Sequence, residues 1–148
     1  MAASGAIKAF GTILQLGEST SFTATTNLAE VISIGGPTIN REMIDVTHLS
    51  SDDMTREFIG GVTDYGEVPI EISYIPANAT HIDLLTNIGQ TTVSSVFRDW
   101  RIVWPDGTHV ATSSKLSFKA AVSGFTPGVA VENQLTGTVT FKVSGKAT

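Results

Sequence analysis

"IDVTHLSSDDMTREFIGGVTDYGEVPIEISYIP" (Ile44–Pro76) holds two kinds of chain. In its second part, Val68, Ile70, Ile72 and Tyr74 share one face, and Glu67, Pro69, Glu71 and Ser73 share the other. A period of two marks a half-buried strand. Pro69 donates no ladder bond, so it predicts a strand start or an edge. The first part is different. From Thr47 to Gly66 lie about twenty polar and glycine-rich residues with no clean period. Compact domains seldom carry so long a connection without a purpose. The stretch therefore predicts a β fold with a long loop over about 47–66.

The flanking sequence extends the β reading. Strands are expected in Ala9–Glu18, Leu28–Pro37 and Arg41–His48. Further on, Trp100, Ile102 and Trp104 alternate, and so do Leu116, Phe118 and Ala120, then Val139, Phe141 and Val143. Pro105-Asp106-Gly107 is a turn signal, which makes His109 an exposed hairpin residue, and Thr126–Gly128 breaks the chain again. One helix is expected over about 79–88. Asn78 or Thr80 would cap it, Ile82, Leu85 and Ile88, with Leu84 beside them, would pack it on a sheet, and Gly89 suits its end. Seven or eight strands with apolar and polar faces fit a β-sandwich or barrel with one flanking α-helix, in a single domain over 1–148.

Composition narrows the function. Of 148 residues, 41% are hydrophobic and 16% charged, a globular balance. The net charge is −5 with no Lys/Arg cluster, which argues against gripping nucleic acid. No cysteine is present, which excludes disulfides and thiolate metal sites. The opening residues lack the apolar run of a secretory signal, and no stretch approaches a membrane span; a soluble protein is expected.

The chemical candidates are thin. Asp45, His48, Asp52 and Asp53 are metal-ligand types, yet an Asp pair in a Ser-rich loop is ordinary turn chemistry. His48 and Asp45 lack a nucleophile elbow. His81 and Asp83, two apart on a helix, do not share a face. Gly60-Gly61 reads as a turn with positive φ, not a phosphate cradle. Trp100 and Trp104 could stack a sugar, although alternate strand positions suit a core or interface. No catalytic residue, metal or cofactor is expected.

The ordered motifs resemble the major tail tube proteins of long-tailed phages. They are Ile44-Asp45-Val46-Thr47, Arg56-Glu57-Phe58-Ile59-Gly60-Gly61, Asp64-Tyr65-Gly66-Glu67, the strand Ile70 to Pro76, Arg101–Gly107 and the terminal Val139–Gly145. The resemblance implies a structural protein and not an enzyme. Six subunits would join their sheets into a ring, and rings would stack into a hollow tube that passes DNA without specific binding. The long loop would reach a neighbouring subunit or ring through Thr47, His48, Ser50, Asp52, Asp53 and Met54, then Arg56, Phe58 and Ile59, and finally Asp64 and Tyr65. Implied partners are other copies, tail tip or baseplate and terminator proteins, and a tape measure protein in the lumen, with no membrane. The expected location is the virion tail, with the host cytoplasm during assembly. Acidic charge fits, since a basic lumen would hold DNA back. Competing expectations are a secretion-type tube, a tail terminator ring, or a glycan-binding β-sandwich using Trp100 and Trp104.

Overall fold

The computed structural model describes residues 9–18, 21–105, 115–129 and 133–148. Nine strands run through them: β1 (Ile13–Glu18), β2 (Ser21–Asn27), β3 (Val31–Ile34), β4 (Asn40–Asp45), β5 (Phe58–Asp64), β6 (Glu67–Ser73), β7 (Arg98–Val103), β8 (Lys115–Gly128) and β9 (Thr136–Ser144). Helices α1 (Ala79–Ile88) and α2 (Val93–Val96) lie between β6 and β7. Seven strands form one sheet in the order β2-β1-β7-β8-β9-β6-β3, all antiparallel. β4 and β5 form a separate two-stranded ribbon.

That order forces the sheet to curl. β2 and β3 are its outer strands, yet only Leu28-Ala29-Glu30 separates them in the chain. A flat sheet would hold its outer strands roughly 29 Å apart, at about 4.8 Å per strand spacing. From Asn27 to Val31 the backbone reaches at most about 15 Å. The sheet therefore wraps until its two edges meet at this bridge. Its apolar face turns inward and buries Leu14, Val68, Ile70, Ile72, Trp100, Ile102, Phe118, Val139, Phe141 and Val143 in one cluster. Trp100 and Phe141 meet edge to face at 4.6 Å. The alternation read in β6 and β9 is this inner face, and the expected sandwich or barrel is a single curled sheet.

The bridge is anchored on both sides. Leu28 N donates to Leu14 O at 2.8 Å, and Ser73 N donates to Glu30 O at 2.8 Å. Helix α1 holds the middle: Ala29 N donates to Thr80 Oγ1 at 3.4 Å, and His81 Nε2 donates to Ala29 O at 2.9 Å. The predicted span of α1 is observed, with Asn78 Oδ1 accepting from Thr80 N at 2.9 Å as its cap.

The orientation of α1 is not as expected. Its buried residues are His81, Leu84 and Asn87, while Ile82, Leu85 and Ile88 lie exposed. The polar pair goes inward because backbone groups await it there. His81 also accepts from Ile75 N at its Nδ1 (3.1 Å), so Nε2 carries the proton. Asn87 accepts from Val122 N at 3.2 Å and donates to Ser95 O and Val96 O. It thereby serves the β8 backbone where a bulge interrupts the register between Val122 and Gly124. Gly89 has a right-handed φ of −80°, so the helix ends without the left-handed residue its glycine suggested.

Other expectations also shift. β2, a run of Ser, Thr and Asn with little apolar alternation, went unread. Thr126–Gly128 does not break the chain: β8 runs through it, paired with Thr138, Gly137 and Thr136 of β9. Pro127 is tolerated because β7 pairs β8 only as far as Ala120, leaving that side of the ladder open. Pro69 is neither at an edge nor at a strand start, since β6 lies between β9 and β3. It sits where β3 has ended, and its carbonyl takes Gly35 N at 2.8 Å. A Cβ on Gly35 would lie 2.8 Å from Pro69 Cγ, so this approach needs glycine. Residues 106–114, with the rest of the predicted turn and His109, lie outside the described residues.

Candidate assembly interface

The stretch expected to be a loop over 47–66 is about one-third strand. Phe58–Asp64 is β5, and only the tip from Val46 to Glu57 is irregular. β5 escaped the sequence reading because its apolar residues show no two-residue period. Met43 pairs with Gly60, Ile44 with Ile59 and Asp45 with Phe58. Cross-strand partners share a face and successive residues alternate. Met43 and Phe58 therefore occupy one face of the ribbon, and Ile44 and Ile59 the other. All four are between 45% and 58% exposed. Gly60 and Gly61 lie within β5 without positive φ, so the predicted turn there is not formed.

The tip is tied locally. Thr47 N and Oγ1 both donate to Asp45 Oδ1, at 2.9 and 2.5 Å, and Thr47 Oγ1 accepts from Glu57 N at 3.0 Å. The Thr47 hydroxyl first, then its backbone N–H, hold the Asp45 carboxyl below its ordinary range. Val46 N donates to Glu57 O at 2.9 Å and closes the mouth of the tip. Beyond it, His48 Nδ1 accepts from Ser50 N at 3.1 Å, and Ser51 Oγ accepts from the His48 backbone N–H, not from the imidazole. His48 Nε2 stands 3.8 Å from Glu57, and Arg56 stands 3.9 Å from Asp45. Asp52–Met54 forms a short 3-10 turn in which Asp53 and Met54 take φ of 52° and 54°. Left-handed backbone at two consecutive non-glycine residues costs on the order of 1–3 kcal/mol each. Leu49 and Met54 stand fully exposed, at 109% and 102%.

The root of the ribbon belongs to the body of the protein. Asp64 accepts from Gly66 N at 3.0 Å and from Lys142 Nζ on β9 at 3.4 Å. The Gly66 amide first, then Lys142, lower its pKa. Tyr65 packs against the core cluster. Gly66 has φ of 60°, and a Cβ there would lie 2.6 Å from Thr38 O. Asp64 and Tyr65, expected as part of the loop, lie at its root and fix the ribbon to the sheet within the subunit, because the chain turns onto β6 at Gly66.

A second uncovered surface is the outer stripe of α1: Ile82, Leu85 and Ile88. Trp100 is buried and Trp104 lies beyond the end of β7, half exposed, so the two tryptophans form no shared platform for a sugar. Among the described residues, no group of three or more His, Asp or Glu is placed to hold a metal ion. No described helix is long and apolar enough to cross a membrane.

Comparison with known proteins places this architecture. No curated protein matches the chain. Among solved structures, the tail of an empty gene transfer agent particle with C6 symmetry is similar, with 13% identity and a TM-score of 0.73 over 97% of this chain and 98% of that one. The tube-terminating cap of the anti-feeding prophage gives 15% identity and a TM-score of 0.71 over 100% and 93%. The SPP1 tail tube gives 8% identity and a TM-score of 0.67 over 90% and 73%. At such identities these likenesses establish the fold. A sequence profile adds the family: the lambda phage tail tube protein profile matches residues 13–148, nearly the whole chain. The chain belongs to the lambda phage tail tube protein family.

Proposed function

We propose that this chain is the structural subunit of a tail tube, that it assembles as stacked six-subunit rings around a channel for DNA, and that the β4–β5 ribbon is its assembly arm. Family membership supports the structural role. The observation that carries the arm is the ribbon's lack of cover: large apolar side chains stand exposed on both its faces and at its tip. An isolated two-stranded hairpin is marginal in water, so such a ribbon needs a partner. The C6 symmetry of the gene transfer agent tail, which shares the fold, supports rings of six. The reading needs no catalytic step. It places the protein in the virion tail, after assembly in the host cytoplasm. Terminator and baseplate proteins would be its partners at the tube ends, a tape measure protein would fill the lumen, and DNA would pass without specific contacts.

Electron microscopy and sedimentation of the purified protein at rising concentration test this reading. Rings that elongate into tubes are expected. Rings that never elongate would favour a terminator instead, a role compatible with the fold shared with the anti-feeding prophage cap. A monomer that persists even beside other tail proteins would overturn the reading. Replacing Ser50–Thr55 by a Gly-Ser linker of equal length should leave the subunit folded and abolish tubes; normal polymerisation of that variant would overturn the arm.

A further inference from the structure

We infer that the ribbon is gripped on both faces at once, by two different copies of this chain. The inference rests on the tail tube reading and goes further, because an arm could equally well lie flat on one neighbour. The register decides against that. Met43 and Phe58 form an apolar pair on one face, and Ile44 and Ile59 form a matching pair on the other. An arm lying on one surface would follow the ordinary pattern of a half-covered strand, apolar on the docked side and polar on the wet side. At Met43-Ile44 and Phe58-Ile59, the ribbon instead carries apolar side chains on both sides.

The amount of surface agrees. With Leu49 and Met54 fully exposed at the tip and the four face residues about half exposed, the ribbon exposes apolar side chains on the order of 400 Å², at about 60–120 Å² for each whole side chain. That reaches the largest patch usual on a monomer, about 300–600 Å², but it is divided between opposite faces. A symmetric dimer buries the same patch on both partners, so two ribbons stacked face to face would cover one pair and leave the other wet. Only heterologous contacts, with a different neighbour on each side, cover both. A polymer of identical subunits supplies such neighbours without any further protein.

The absence of cysteine allows a direct test. Single variants Met43→Cys and Ile44→Cys report one face each through their rate of thiol alkylation. Both thiols should react freely in the subunit and at least tenfold more slowly in assembled tubes. In parallel, Met43→Thr/Phe58→Thr and Ile44→Thr/Ile59→Thr each blunt one face while keeping strand-forming side chains. Each pair should raise the protein concentration needed for assembly at least tenfold without changing the subunit's circular dichroism. If the wild-type protein assembles and one thiol stays fully reactive in the tube, or one Thr pair assembles like wild type, the two-face grip is wrong and the tube reading stands. A wild-type protein that never assembles overturns both.

Discussion

His81 joins three separate segments of the chain through one side chain. Its ring accepts from Ile75 N, donates to Ala29 O, and stacks on Tyr74 with centroids 5.9 Å apart. In the sequence it reads only as half of an unlikely paired site with Asp83, since nothing local reveals that the backbone of Ala29, 52 residues away, meets it. His81→Ala would leave a part-buried carbonyl, Ala29 O, and a part-buried N–H, that of Ile75, without their side-chain partner. Each such loss costs about 1–3 kcal/mol, so roughly 2–5 kcal/mol is expected by urea unfolding. His81→Gln, which keeps a donor and an acceptor, should recover part of that. A loss under about 0.5 kcal/mol from His81→Ala, the usual surface range, would mean that water serves these groups as well. Asn87 plays the same part at the β8 bulge, and it too was invisible as a function of its neighbours in sequence.

Among the elements, β6, β9 and α1 were legible because each has a dominant period and clear ends. Val68, Ile70 and Ile72 face Phe141, Val139 and Gly137 across the β6–β9 ladder, and both strands show the alternation in their own sequence. β5 was illegible for the opposite reason. Phe-Ile-Gly-Gly-Val-Thr-Asp has large side chains on both faces, so no alternation survives to be read. The orientation of α1 was misread because Ile82, Leu85 and Ile88 make the more hydrophobic stripe, while the inward positions were decided by hydrogen bonds. The ribbon tip carries its own pH dependence. Asp45 is held below its ordinary 3.8 by Thr47, and a lowered folded pKa stabilises above the unfolded value and is lost as pH falls through the folded one. The Asp45–Thr47 turn should therefore be intact at neutral pH and loosen only at pH below the ordinary carboxylate range. The Thr47 amide shift in an NMR titration would follow this, and Asp45→Asn should flatten it. An unchanged titration in that variant would assign the effect to another group.

On the scale of the whole molecule, the curled sheet satisfies its own interior and leaves the ribbon and the outer stripe of α1 uncovered. It also ties together strands that are neighbours in the chain and opposites in the sheet. That tie sets the pace of folding. β2 and β3 cannot be bridged in their native places until β1 has found β7 and β6 has found β9, pairings that join Leu16 to Trp100 and Val68 to Phe141. No path of successive local hairpins completes the sheet. Chains dominated by such distant pairings refold in about milliseconds to seconds, where helical bundles need about microseconds to milliseconds. Stopped-flow refolding followed by the fluorescence of buried Trp100 should accordingly show a main phase no faster than milliseconds, and a submillisecond phase carrying most of the signal would contradict it. Throughout that interval the apolar side chains of the β4–β5 segment are uncovered on an unfinished subunit, so at high concentration refolding should compete with premature association through the same side chains that later join finished copies.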